Sequence, residues 1–141
     1  MATISPIESL EHYPSRTYSD VNFSLVTHPV SLDVTRKINE EAIKQSIKSL
    51  CLLGAKEKPF HPEIYGGIYE LLFENIEEPG TKELLKMNIT RVLTEYEPRV
   101  EVLSVDAESQ NDNNSVSVTV YFKIINTLVP SKVEFFVKTA R

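Results

Sequence analysis

The sequence predicts an α+β domain, and three observations predict it. Apolar residues recur at threes and fours between Asp33 and Tyr96, then change to strict alternation from Val100 onward. Proline-bearing breaks at residues 56–62, 78–80 and 97–99 cut the helical part into three pieces. A polar run, Ser-Gln-Asn-Asp-Asn-Asn-Ser at 109–115, separates two alternating segments with residues that favour turns. Helices that precede the strands rather than interleave with them imply segregated layers. The expected architecture is three helices packed on one face of a small antiparallel sheet, with an extended N-terminal arm over residues 1–20 and a single domain over 21–141.

The arm is rich in Ser, Thr, Tyr and Pro and has little periodicity, so it buries little by itself, although Tyr13, Tyr18 and Phe23 can dock on something larger. Val21, Phe23 and Leu25 alternate with Asn22 and Ser24, which predicts a short strand near 21–26 and a turn at His28-Pro29. From Asp33 the apolar positions Val34, Ile38, Ala42, Ile43, Ile47 and Leu50 lie opposite a charged face, predicting a first helix that ends near Gly54. Pro62 suits the first position of a second helix carrying Ile64, Ile68, Leu71, Leu72 and Ile76. Gly66-Gly67 inside that helix costs about 1 kcal/mol per glycine, so a close backbone approach or an irregular turn should compensate. Glu78-Pro79-Gly80 closes it, and Thr81 caps a third helix.

Pro98 stops that third helix at Tyr96, because proline lacks the amide hydrogen and drives the preceding residue out of the α region. Val100 and Val102 then alternate on one parity, and Leu103, Val105 and Ala107 on the other. A bulge or change of buried face is therefore expected at Leu103. Val116 to Ile124 is a half-buried antiparallel strand by its alternation, and Val133, Phe135 and Val137 repeat the pattern after a turn at 126–131.

With 141 residues and 41% hydrophobic composition, the chain can build one real core and not two. A net charge of −5 without any Lys/Arg cluster gives no footprint for nucleic acid. The longest apolar run, residues 50–55, is far below the roughly 18–20 residues that cross a bilayer, and residues 1–10 lack the basic flank and apolar stretch of a signal peptide. Neither a membrane nor conventional secretion is expected. Cys51 is the single cysteine; among Leu50, Leu52 and Leu53 it reads as a core residue in a reducing compartment.

Catalytic groups are sparse. His12, His28 and His61 have no metal-site spacing, Gly66-Gly67 lacks the Lys-Ser/Thr of a phosphate loop, and no serine-nucleophile signature is present, so neither metal nor cofactor is expected. One enzymatic alternative is a small glycosidase, opening cell-wall polymer with Glu97 and a second carboxylate such as Glu95 or Glu101. Against it stands the plainer reading: Glu95 and Glu101 are solvated, and Glu97 accepts hydrogen bonds from backbone or an arginine. Arg99 can bridge a carboxylate bidentately, either within the chain to lock the helix-to-strand corner or across an interface.

Three elements in order, Lys-Pro-Phe-His-Pro-Glu-Ile-Tyr-Gly at 58–66, Ile-Tyr-Glu-Leu-Leu-Phe-Glu at 68–74 and Glu97-Pro98-Arg99-Val100, resemble the baseplate wedge and sheath-initiator family of contractile phage tails. Type VI secretion baseplates carry similar subunits. The resemblance runs from about Asn22 to the C-terminus, with Tyr65 where phenylalanine is usual, Tyr96 where tryptophan is common and Lys58 where arginine is frequent. It implies a non-enzymatic virion protein, assembled in the host cytoplasm, that surrounds the tail tube, binds other wedge proteins and templates the first ring of tail sheath protein. It marks Glu97, Pro98 and Arg99 as the motif, with Tyr96, Pro59, Tyr65 and Gly66 as support. A sheet of few strands leaves edges to cover, so a neighbour's strand is expected to add at the segment of Val133, Phe135 and Val137.

Overall fold

In the computed structural model, residues 17–71, 78–110, 115–125, 127 and 129–138 are described. The main sheet is an antiparallel meander of β3 (Val100–Gln110), β4 (Ser115–Ile124) and β5 (Pro130–Lys138), in that spatial order. Its register sets Val105 against Val120 and Val118 against Phe135. Alternation puts Val116, Val118, Val120, Phe122 and Ile124 of the central strand on one buried face. The pairing shifts between Val102 and Ser104, leaving Leu103 exposed while Val100 and Val105 both stay inside. The expected irregularity at Leu103 is thus a β-bulge, which lets both parities of the strand serve one core.

Two helices cover that face. α1 (Glu40–Leu52) contributes Ile43, Ile47 and Cys51, and α3 (Pro79–Tyr96) contributes Leu85, Ile89 and Leu93, to one cluster with Val105, Val118 and Phe122. α3 lies chiefly along β3, and α1 bridges α3 and β5. The architecture is α+β with antiparallel sheets, as the change of period implies. Burial pushes the Cys51 thiol up to about 12, since a thiolate loses its hydration in this cluster. Native protein is therefore expected to leave Ellman's reagent unreacted at pH 8, and urea-unfolded protein to titrate one thiol.

Several boundaries differ from those the periodicity suggests. The first helix starts at Glu40 rather than Asp33, because β2 (Arg36–Ile38) pairs antiparallel with β1 (Ser19–Val21). Asn39, at φ 49 and ψ −119, turns the chain between strand and helix, outside the regions that residues with a side chain ordinarily occupy. Glu40 and Glu41 then lie in the first turn, where the helix dipole favours acids. The strand expected at 21–26 is instead Ser19–Val21, joined through residues 22–35 by an irregular hairpin with a bridge at Thr27 and Val34. Its turn begins at His28, whose backbone pairs with Asp33.

The second helix does not start at Pro62. Residues 62–67 are turns and extended chain, and α2 is only Ile68–Leu71; the remainder of the expected helix, residues 72–77, lies outside the described residues. Gly66 and Gly67 therefore precede the helix rather than interrupt it. Glu78, not Thr81, is the N-cap of α3, with Pro79 at its first turn. Thr81 is buried in the helix, its amide bonded to the Glu78 carbonyl. A proline expected to end one helix opens the next, since its missing amide costs nothing at that position.

One buried polar residue fastens the N-terminal hairpin to this body. Gln45 of α1 accepts from the Phe23 amide at 3.2 Å and donates to the Val21 carbonyl at 2.7 Å, completing the hairpin base as a neighbouring strand would. Gln45→Leu keeps the volume and removes both bonds. It is expected to cost about 1–3 kcal/mol and to speed hydrogen exchange selectively at residues 19–38, measured by mass spectrometry.

Candidate functional site: the corner between α3 and β3

Tyr96 is the last residue of α3, Glu97 its C-cap, and Val100 the first residue of β3. Pro98 dictates this local geometry: Glu97 sits at φ −124, ψ 72, outside the helical region. Its amide still bonds the Leu93 carbonyl at 3.0 Å, and its own carbonyl receives the Val100 amide at 3.2 Å, so the corner is closed on both sides. The Ile125 amide, at the end of β4, donates to the Arg99 carbonyl at 3.0 Å and ties the corner to the sheet.

The turn throws the Glu97 carboxylate inward, where it is 2% exposed. Arg99 grips it bidentately, through Nε on Oε1 and through Nη2 on Oε2 at 2.7 Å. Ser46 of α1 donates a third hydrogen bond to Oε2. Burial alone would push this carboxyl up, but the hydrogen bonds from Arg99 and Ser46, with the guanidinium charge, outweigh it and hold the group below the usual carboxylate range. Arg99 is half-buried, and its guanidinium carbon lies 5.4 Å from the centre of the Tyr18 ring, within cation–π range. One buried ion pair thus joins α1, α3, β3 and the N-terminal hairpin.

The supporting residues lie on a second cluster. Tyr65 packs under Arg91 of α3 at 5.7 Å, and Arg91 also reaches the Glu63 carbonyl and the Glu95 carboxylate, at 3.4 and 3.6 Å. Burial, then the Glu95 and Glu63 carboxylates, raise the pKa of the Tyr96 hydroxyl. Gly66 is buried against the last turn of α1, its amide donating to the Leu53 carbonyl at 3.0 Å. Pro59 is exposed in the preceding loop. Phe135 and Val137 point into the core and Val133 is half-buried, so what β5 offers a neighbour is its backbone edge, not these side chains.

Sequence reasoning missed Ser46 and Gln45 and left Tyr18 without a partner. Ser46 follows Ala42 by four residues, inside the apolar stripe of α1, and a hydroxyl at such a position was a sign that a buried acceptor faces it.

This geometry does not suit Glu97 to glycoside hydrolysis. A general acid needs a raised pKa and an open cleft, whereas Glu97 is held ionised and closed off. A shallow cavity of about 490 Å³ lies elsewhere, against Ala55, Pro62, Tyr65 and Asn88, and is lined by none of Glu95, Glu97 and Glu101. Its own carboxylates are engaged, Glu63 with His61 at 3.1 Å and Glu70 with the Ala55 amide at 2.6 Å. Among the described residues no cluster of His, Cys, Asp and Glu could hold a metal, and no helix is long and apolar enough to cross a membrane.

Comparison with known proteins gives the corner its context. The chain is 28% identical over 112 residues to baseplate wedge protein gp25 of Enterobacteria phage T4, covering 79% of this chain and 83% of that protein. Its fold is shared by a subunit in the cryo-EM structure of the anti-feeding prophage baseplate, with TM-score 0.66 and 19% identity over 79% of this chain and 89% of that one. The crystal structure of a tail lysozyme candidate from Geobacter sulfurreducens is similar too, with TM-score 0.62 and 22% identity over 72% and 92% of the two chains. The family model described as baseplate wedge protein gp25 matches residues 38–129, well over half of the sequence. The chain belongs to the gp25 family of baseplate wedge proteins of contractile tails.

Proposed function

We propose that this chain is a structural, non-enzymatic subunit of a contractile-tail baseplate wedge. It surrounds the tail tube, joins other wedge proteins, and initiates the sheath by accepting a strand of sheath protein at β5. The observation that carries the strand-addition reading is the sheet order: β5 is an edge strand of nine residues whose far side pairs with no strand among the described residues. An unpaired edge of that length is a template for another chain. The Glu97-Arg99 corner holds the helices against the sheet, and the solvent-facing part of Arg99 is offered to a wedge neighbour.

The test covers the β5 edge without touching the core. A short strand appended to the C-terminus through an Asn-Gly turn, paired along β5, leaves the domain intact and occupies the edge. Electron microscopy of particles from cells carrying this variant is expected to show baseplates and tubes without sheath. Normally sheathed, contractile tails would refute strand addition at β5, and absence of the chain from purified particles would refute the subunit reading as a whole.

A further inference from the structure

We propose that the hairpin over residues 19–38 is a docking arm, seated in an uncharged apolar groove of a different subunit of the same assembly; this rests on the wedge-subunit reading above. The hairpin turns most of its apolar side chains outward, among exposed Ser24, Thr27, His28, Ser31, Asp33 and Arg36. Asp20, Asn22 and Lys37 are half-buried, while Val21, Phe23, Leu25, Val26, Val30 and Leu32 face solvent, Val30 at 85% and Leu32 at 79% exposure. Leu25 and Leu32 hold φ of 50 and 55, a left-handed backbone that leucine seldom adopts. Apolar display at this density marks an interaction surface, and strained backbone gathers where a ligand is gripped.

The arm is rigidly aimed. Gln45 holds Val21 and Phe23, Asn39 Oδ1 accepts from the Tyr18 amide at 3.1 Å, and Tyr18 lies against Arg99. Its conformation is set before any partner arrives, which lowers the entropy lost on docking.

Two features say what receives it. The backbone is already used: the amides of Val21, Phe23, Ser24, Val30, Ser31 and Val34 donate to side chains of this chain. Strand addition, available at β5, is closed here, so a partner must take the side chains. Charge also cancels on the arm, Asp20 and Asp33 against Arg36 and Lys37, although the whole chain carries −5. The matching surface is therefore uncharged and concave. The cavity against Tyr65 in a second copy of this chain does not match it, being rimmed by Lys56, Glu63 and Glu70. The family match begins at residue 38, so the arm precedes the stretch that the family model describes.

Because Cys51 is buried, Val30→Cys and Leu32→Cys each give the protein one reactive thiol. Maleimide labelling is expected to be at least about tenfold slower in purified tail particles than in the free subunit, since a seated side chain is covered. A benzophenone attached at the same thiol before assembly is expected to cross-link to a different subunit, identified by mass spectrometry. The double variant Val30→Ser/Leu32→Ser is expected to keep the melting temperature of the free protein while its incorporation into particles falls at least about tenfold. Equal labelling rates, a cross-link to a second copy, or normal incorporation of the double variant would each overturn the arm proposal while leaving the wedge-subunit reading standing. Absence of the wild-type chain from particles would overturn both.

Discussion

Arg99→Ala is expected to lower the free energy of unfolding by about 3–5 kcal/mol near neutral pH, the range found when one partner of a buried ion pair is removed. The reason is the imbalance of burial across the pair. Glu97 is 2% exposed and cannot turn to water, while Arg99 reaches solvent along part of its length. Without the guanidinium, Glu97 keeps the Ser46 hydroxyl and the backbone amide of residue 99, loses its counter-charge, and must stay buried without an ion-pair partner or take up a proton. Glu97→Gln should be milder, about 1–2 kcal/mol, because the amide still accepts one bond and the freed arginine can hydrate. Urea unfolding followed by circular dichroism separates the two.

Acid titration sharpens the same prediction. In the wild type the folded-state pKa of Glu97 lies below its unfolded value. The pair's contribution is then complete above the ordinary carboxylate range, near pH 4–5, and is lost as the pH falls through the folded value. Glu97→Gln lacks this component. In Arg99→Ala the slope reverses, since a stranded buried carboxyl has a raised pKa and its protonation on acidification recovers stability. An Arg99→Ala protein within about 1 kcal/mol of wild type, with the same acid slope, would show that the corner is not held by this pair.

Gly66→Ala is expected to be more damaging than any surface change, with loss of soluble folded protein or a penalty above about 3 kcal/mol. A Cβ on Gly66 would lie far closer to the Cys51 carbonyl oxygen than van der Waals contact allows and 2.8 Å from the Cys51 Cα, against backbone that cannot step aside. Its neighbour provides the control. Gly67 has φ 79, but an added Cβ would meet only the Asn88 amide at 3.1 Å, the end of a side chain that can move. Gly67→Ala should cost about 1–2 kcal/mol, the left-handed penalty alone. Thermal melts of the two variants, and yields of soluble protein, test the contrast; equal effects would mean that the Cys51 contact yields.

The glycine pair shows how legible the fold was. Its composition announced a compensation, and close backbone approach is what the structure contains at Gly66. What was misjudged was the element: helical spacing from Ile64 to Ile76 suggested one continuous helix, while residues 62–67 leave the helical conformation, in a turn and then extended chain, and bring Gly66 under α1. Asp33 to Ile38 misled in the same way. Val34 and Ile38 fit a helical stripe, but Arg36–Ile38 has a strand to pair with and Asn39 breaks the turn. In both places a contact with a remote segment overrode local periodicity, as it does where propensity is weak.

The corner divides along the same line. Pro98 acts on its immediate neighbours through its ring, so the end of α3 at Tyr96, the non-helical Glu97 and the start of β3 follow from the sequence alone. Strand alternation is equally local, and with it came the bulge at Leu103 and the buried face of β4. The partners of Glu97 were of another kind. Arg99 is two residues away, but Ser46 comes from 51 residues earlier, and Tyr18 closes over Arg99 from the N-terminal hairpin. Only the packing of α1 against α3 brings Ser46 to the carboxylate, and only the pairing of β1 with β2 brings Tyr18 to the guanidinium. Local sterics pass from residue to residue and can be read along the chain, whereas a buried charge is satisfied by whatever the tertiary fold delivers to it.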